Sequence, residues 1–447
     1  MLATGQVTAI QLVELYLDRI GRLDGLLNAY RTVRSEQARS EAVEAQRRLD
    51  AGERLPLLGV PLAVKDDVDV AGELTACGTA AHGGVKERDA EVVQRLRAGG
   101  AIVLGKTNCP EMTIWPFTES PTFGATHNPW DTSRSPGGSS GGTAAAVAAG
   151  LAAMGVGSDG GGSIRTPATW CGVFGLKPQR DRVPLAPHVD GWQGLTVNGP
   201  ITRTVEDAAL FLDVTTTLPA PDGGFVAAAA RAPGRLRIAT TTRSPLGPMS
   251  PVGKAQSAAV REAGALLREL GHQVVERDPD YPALSGGWNL TARYLRGIHD
   301  DVNTMPHPDR LEPRTRRMAR AGGLISDGRI AAIRGREADL ARRVNVIFDD
   351  IDVVVTPATS AGPPRVGAYR RRGALYTATF STRRSPFVAI FNATGQPAAV
   401  VPWDLDDDGI PLSVQLVGRP SDEATLLALS TQIEVARSWA HRRPTVS

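Results

Sequence analysis

Two glycine-rich serine turns constrain this chain more than any other feature. Gly137-Gly138-Ser139-Ser140-Gly141-Gly142 and Gly160-Gly161-Gly162-Ser163 are joined by an apolar run, and Ser139 and Ser163 stand 24 residues apart. Glycine weakens any helix or strand it occupies, so this density needs a cause: a backbone that approaches a ligand closely or adopts positive φ. Ser163 follows three glycines, where an exposed hydroxyl sits beside a row of backbone N–H groups. Such a row forms a nest for developing negative charge. The run between the turns, Thr143 to Gly157, reads as a helix buried all round and too short to span a bilayer.

A serine attacks well only when a base takes its proton. The apolar strand Leu58-Gly59-Val60-Pro61-Leu62-Ala63-Val64 ends in Lys65, and the chain has only five lysines among fifty basic residues. Where a plain positive charge suffices, this sequence uses arginine. A lysine kept at the end of a buried strand is a candidate for a group that must lose its proton, which arginine cannot do. Burial disfavours a charged ammonium and so favours that role. A simple salt bridge to Asp66 or Asp67 is the competing reading. Alternation along the strand is expected to turn both carboxylates away.

Both stretches, with GKTNCPE at 105–111, NPWDTSRSPGGSSGGTAAAVA at 128–148, GSDGGGSIRTPATWCGVFGLKP at 157–178, GPITRTVEDAA at 199–209, NATGQPAAVVP at 392–402 and GIPLSVQLVG at 409–418, resemble the amidase signature family of Ser-Ser-Lys amidohydrolases. The resemblance covers most of the chain. It implies Ser163 as nucleophile, Ser139 as bridging serine after a cis Gly138–Ser139 peptide, and Lys65 as base. Gly160, Gly161, Gly162 and Ser163 would supply the oxyanion hole. Thr113, Trp115 and Trp192 are the candidate substrate contacts. One departure is Ser158-Asp159-Gly160, where the family usually has Thr-Asp-(Thr/Ile). A pair between Asp159 and Arg165 would hold the nucleophile turn in shape.

The implied fold is α/β: a single large domain, residues 1–447, with a central mixed, largely parallel twisted sheet covered by helices on both faces. The signature core lies at about 55–215 and a variable substrate-access region at about 281–343. No cofactor and no metal are expected. The expected partner is a small-molecule amide, with no nucleic acid and no membrane; a homodimer stays open.

Composition narrows the class. The net charge of +3, from 50 basic and 47 acidic residues, is too balanced to imply nucleic-acid binding by itself. Hydrophobic residues at 42% are enough for a large core. Cys77, Cys109 and Cys171 are odd in number and widely spaced, which reads as free thiols in a cytoplasmic protein. The N-terminus lacks the basic and apolar pattern of a secretory signal.

Along the chain, Thr8-Ala9-Ile10-Gln11 forms a capping-box pattern. Helices are expected over 35–50, 91–98, 205–215, 260–270 and 422–438. Strands are expected over 59–64, 101–105, 236–240, 273–276, 352–356 and 412–417, a βαβ rhythm. The stretch 108–134 reads as a functional loop, 219–234 as a surface connection, and 281–343 as mainly helical. Trp115, Phe117, Trp170 and Trp192 point to an apolar or aromatic pocket, with a core role equally open for Trp170.

Other readings of the serines are weaker. Gly137-Gly138-Ser139-Ser140-Gly141 matches the G-x-S-x-G nucleophile elbow, but that elbow follows a strand and here a loop precedes it. A P-loop needs a Lys-Ser/Thr that is missing. Two rivals within reach are the catalytic subunit of a glutamyl-tRNA amidotransferase, which shares the signature, and a non-catalytic binding protein. The segment Asp190 to Leu195 does not resemble the amidotransferase sequence, and an intact Lys65, Ser139 and Ser163 argue against a non-catalytic protein.

Overall fold

The computed structural model describes the backbone of residues 1–447, and every side chain except those of 283–285. Its strands are β1 (Tyr30–Val33), β2 (Pro61–Lys65), β3 (Ile102–Thr107), β4 (Glu119–Ser120), β5 (Gly124–Ala125), β6 (Met154–Asp159), β7 (Phe174–Lys177), β8 (Val197–Thr202), β9 (Arg237–Thr240), β10 (Gln273–Glu276), β11 (Val353–Pro357), β12 (Ala398–Leu405) and β13 (Pro411–Gly418). All but the β4–β5 hairpin join one sheet, in the order β1-β3-β2-β6-β8-β7-β12-β13-β11-β9-β10.

Alternation along the short apolar strands sets the layers. Leu62 and Val64 of β2 and Val103 of β3 join one buried cluster, while Ala63, Ile102 and Leu104 join another. Successive strand residues face opposite ways, so helices must cover both faces. On the first face lie the helices Glu91–Ala98, Val205–Thr215, Lys254–Glu269 and Glu423–Ala436. On the second lie Ala9–Leu27, Ser35–Asp50, Gly141–Ala148 and Arg165–Cys171. The first helix opens with the expected capping box: Thr8 accepts from the Gln11 amide and Gln11 reaches back to the Thr8 N–H.

The sheet is mixed. The βαβ rhythm gives parallel pairing in two blocks, β3-β2-β6 and β10-β9-β11. The strands between them pair antiparallel. There β12 and β13 are joined by a tight turn in which Gly409 takes φ +76. A parallel partner needs a long crossover, whereas a tight turn yields an antiparallel one. Helices Ala283–Thr304, Pro313–Gly323, Asp327–Gly335 and Glu337–Asn345 make the region 281–343 mainly helical as expected. Residues of this region join Trp115, Phe117 and Trp192 in a third buried cluster. No helix among the described residues is long and apolar enough to cross a membrane.

Two segments differ from the sequence reading. The run Thr143–Gly157 is not one helix. The helix Gly141–Ala148 stops, Gly150 takes φ +68, and the chain returns as β6. Both halves are buried on every side, so apolar periodicity carries no distinction between them. The stretch 219–234 contains the helix Gly224–Ala230, whose first amides donate to a distant carboxylate: Phe225 N–H and Val226 N–H reach Asp213 at 2.6 and 3.0 Å. That cap lies outside the local sequence.

The helix Gly141–Ala148 seats on β6 through Gly155, where an added Cβ would lie 2.2 Å from Thr143 Cγ2. Thr143 is itself fixed, with its Oγ1 2.6 Å from Thr107 Oγ1. We predict that Gly155→Ala lowers stability by about 1–3 kcal/mol through overpacking, read as a lower midpoint of thermal unfolding. An unchanged midpoint would show that the helix can shift freely on the sheet.

Candidate active site

Lys65 ends β2 on the same face as Ala63, the face that packs against the helix Gly141–Ala148. Ser139 lies just before that helix, after a cis Gly138–Ser139 peptide. Ser158 lies on β6, the neighbour of β2. These three elements converge on the Lys65 ammonium nitrogen. Nζ lies 2.7 Å from Ser139 Oγ, 2.6 Å from Ser158 Oγ and 3.0 Å from Asp67 Oδ2, and the lysine is fully buried.

The Asp67 contact corrects the expectation that both neighbouring carboxylates turn away. Asp66 does so: it pairs with Arg31 at 2.7 Å and Lys106 at 3.3 Å. Asp67 does not, because β2 ends at Lys65. The chain then turns, with Val68 N–H bonded to the Lys65 carbonyl, so alternation no longer governs Asp67. Ser158 Oγ donates to Asp67 Oδ2 at 2.5 Å. In the sequence, Ser158 shows only as a departure from the family pattern, and Asp67 only as an unwanted neighbour.

Ser140 joins the two serine turns. Its N–H donates to the Ser163 carbonyl at 3.1 Å, and its hydroxyl lies within hydrogen-bond distance of both Ser158 O and Ser158 N. The second turn is held from below by the expected pair. Arg165 meets Asp159 through Nε at 3.0 Å and Nη2 at 3.1 Å, with both side chains fully buried. Arg165 also donates to Val388 O, Gln415 Oε1 and Asn392 Oδ1 at 2.7–2.9 Å. Burial by itself would raise the Asp159 carboxyl. The Arg165 charge and hydrogen bonds, the Asn392 amide and Lys177 outweigh it and hold the group well below the usual carboxylate range.

Asp159 also changes the candidate oxyanion hole. Its Oδ1 accepts the Gly162 N–H at 2.6 Å and its Oδ2 the Ile164 N–H at 3.1 Å. Gly162 is therefore not a free donor, contrary to the expectation. The N–H groups of Gly160, Gly161 and Ser163 meet no acceptor among the described residues. Gly160 is required sterically, since a Cβ there would lie 2.8 Å from Trp192 Cε3. Gly162 takes φ +116, and a Cβ there would lie 2.3 Å from a Val388 methyl.

Ser163 and Ser139 line one cavity, together with Thr113, Ser158 and Trp192. Ser163 is half-buried, and its hydroxyl meets no partner among the described residues. Of the three expected substrate contacts, Thr113 and Trp192 line this cavity. Trp115 does not. It is 2% exposed, stacks on Phe117 at 5.9 Å and lies under the Arg314 guanidinium at 5.1 Å. Met112 and Thr113 both take positive φ, and this bend aims Thr113 at the cavity while Trp115 enters the core. Trp170 is also core, with its indole N–H on Ala361 O. A further carboxylate lines the cavity: Asp301, from the helix Ala283–Thr304, which no motif or spacing singles out. Among the described residues no group of three His, Cys, Asp or Glu side chains is spaced to hold a metal ion.

Removing one partner from a buried pair strands the other charge. Asp159→Asn is expected to cost about 3–5 kcal/mol at pH 7. The folded-state pKa of Asp159 is depressed, so its contribution is full above the unfolded value of about 3.9 and is lost as pH falls below it. The stability gap between wild type and variant, measured by denaturant unfolding, should stay constant from pH 7 to about 4 and narrow only below that. A gap that closes between pH 7 and 5 would contradict this assignment.

Comparison with known proteins identifies the family. The Amidase family model matches residues 11–427. The chain is 64% identical over 447 residues to "Putative amidase AmiB2" of Mycobacterium tuberculosis, covering 100% of this chain and 96% of that one. It is 34% identical to a glutamyl-tRNA(Gln) amidotransferase chain of Roseiflexus castenholzii, covering 100% and 96%. The solved structure of 6-aminohexanoate cyclic dimer hydrolase superposes with a TM-score of 0.89 at 29% identity, covering 100% and 97%. With one family model spanning nearly the whole sequence, the chain belongs to the amidase signature family of amide-hydrolysing enzymes.

Proposed function

We propose that the enzyme cleaves a carboxylic amide through an acyl-enzyme on Ser163, with Ser139 and Lys65 as its proton relay. The observation that carries this is the 2.7 Å contact between Lys65 Nζ and Ser139 Oγ at the edge of the cavity that Ser163 lines. Ser163 Oγ attacks the carbonyl carbon. Its proton passes to Ser139, and the Ser139 proton to neutral Lys65. The N–H groups of Gly161 and Ser163, beside that of Gly160, receive the oxyanion. The relay then runs backwards: the leaving nitrogen gains a proton and the C–N bond breaks. Water attacks the ester by the same path and releases the acid.

The three contacts of Lys65 can all be met by a neutral amine. A neutral amine has one lone pair and two N–H donors. In that neutral state the lone pair would accept from Ser139 Oγ, 2.7 Å away, while the two N–H groups donate to Ser158 Oγ and Asp67 Oδ2, so Asp67 and Ser158 would set the direction of the lone pair. Ser163 and Ser139 line the same cavity without a direct hydrogen bond, so the first proton transfer requires their hydroxyls to approach. Catalytic hydrogen bonds commonly tighten when substrate binds.

The amidotransferase reading is less well supported. Its amide donor would be glutamine, which carries a carboxylate beside its ammonium and so needs a cation in the site as well. Among the described residues the cavity is lined by Asp67, Asp69 and Asp301 and by no arginine or lysine. Co-purification of partner subunits with tRNA would favour that reading instead.

Labelling with a fluorophosphonate tests the nucleophile. Ser163→Ala should abolish labelling and lower turnover by on the order of 10⁴-fold or more while leaving the thermal midpoint in place. Labelling that persists in this variant and maps to Ser139 would overturn the assignment. The pocket yields a second expectation. Trp192→Ala should change the ratio of kcat/KM values across a panel of amides, whereas Trp115→Ala should lower stability by about 3–5 kcal/mol and leave that ratio unchanged. The reverse pattern would place Trp115, not Trp192, against substrate.

A further inference from the structure

Asp301 stands apart from the other carboxylates around the cavity. Asp67 Oδ2 is met by Lys65 Nζ at 3.0 Å and by the Ser158 hydroxyl at 2.5 Å, Asp69 pairs with Lys86 at 3.5 Å, and Asp300, next to Asp301 in sequence, pairs with Arg296 at 2.7 Å. Asp301 has no lysine, arginine or histidine within ion-pair distance among the described residues. It lines the same cavity as Ser163. His188 lines that cavity too, beyond ion-pair distance of Asp301.

The carboxylate is nevertheless held in place. Trp192 Nε1 donates to Asp301 Oδ2 at 2.7 Å. The Trp192 ring is fixed in turn, edge-on to Tyr294 with centroids 4.8 Å apart and pressed against Gly160 of the nucleophile turn. The Tyr294 hydroxyl is anchored on the Ile114 carbonyl. One carboxylate oxygen is thus committed to the indole and the other is left to the cavity. Burial raises the Asp301 carboxyl. The indole hydrogen bond and His188 oppose the rise, while Asp300 and Asp67 add to it. A cation arriving from the cavity would offset that cost directly.

We propose that Asp301 is a specificity residue that seats a protonated amino group, and that the enzyme's substrates are amides that also carry an aliphatic ammonium. This rests on Ser163 being the nucleophile, because the shared cavity is what relates Asp301 to the scissile bond. A charge-assisted hydrogen bond from an ammonium to a partly desolvated carboxylate is about twice as strong as a neutral one. A matched hydroxyl at the same place could donate a hydrogen bond but would leave the charge of the carboxylate uncompensated.

The test uses competition for Ser163, so no substrate need be known beforehand. A small uncharged fluorophosphonate labels Ser163, and hexylammonium or 1-hexanol is added as protecting ligand. Hexylammonium should protect the wild-type enzyme at a concentration at least about tenfold lower than 1-hexanol. In Asp301→Asn, whose amide oxygen still accepts the Trp192 N–H, the ratio should fall to about one with labelling by the uncharged probe retained. Asp300→Asn, next to it but engaged by Arg296, should keep the wild-type ratio. A wild-type ratio of one, read without any variant, would overturn the proposal. So would a ratio that survives Asp301→Asn. If the uncharged probe fails to label Ser163 at all, the nucleophile reading fails and this inference falls with it.

Discussion

The structure depends on the buried pair between Asp159 and Arg165. Two opposite charges without water are costly unless every remaining donor and acceptor is met. Here Arg165 reaches Val388 O, Asn392 Oδ1 and Gln415 Oε1, while Asp159 holds the amides of Gly162 and Ile164. The pair therefore does two things. It fixes a turn whose glycines would otherwise be free, and it ties that turn to β13 and to the helix Ile390–Thr394. The Gly160–Ser163 turn and the last third of the chain are held by one network. This is why the resemblance extends from the serine turns to the NATGQP segment, far away in sequence.

The same network explains how the candidate oxyanion hole differs from a plain row of four amides. A carboxylate beneath the turn takes one N–H inward, and the conformation that this imposes leaves the amides on either side without acceptors among the described residues. Preorganisation of this kind needs no rearrangement when charge develops above the turn. Trp192, resting on Gly160, carries the rigidity of the turn to the cavity wall and to Asp301.

Much of this is legible in the sequence because it is local. Strand β2 with its terminal lysine, the capping box at Thr8, the helix Val205–Thr215 and the Asp159–Arg165 pair are all readable from short windows. What stays hidden depends on contacts between distant segments. Periodicity is silent inside a run buried on all sides, so the break at Gly150 between the helix Gly141–Ala148 and β6 does not show. Alternation holds only while a strand lasts, and Asp67 lies two residues past its end. Trp115 and Trp192 look alike as aromatic residues in irregular segments. Their fates are decided by a bend at Met112 and Thr113 and by an indole partner 109 residues away. Asp301 belongs to the region with the weakest resemblance, where only three-dimensional packing gives a charged residue its place.

The chemistry turns on Lys65. Its neighbours fit two roles: a base that receives the Ser139 proton, and a fixed cation that orients Ser139 and neutralises Asp67. Replacing Lys65 by arginine separates them, because a guanidinium keeps a positive charge beside Asp67 but cannot take a proton at any pH the enzyme survives. General-base catalysis contributes about 10²–10⁴-fold. The decisive measurement is steady-state turnover of Lys65→Arg beside Lys65→Ala on a common amide, with folding checked by thermal unfolding. A general-base role predicts that both variants lose activity on that scale and to similar extents. Turnover by Lys65→Arg close to wild type, with Lys65→Ala inactive, would contradict it.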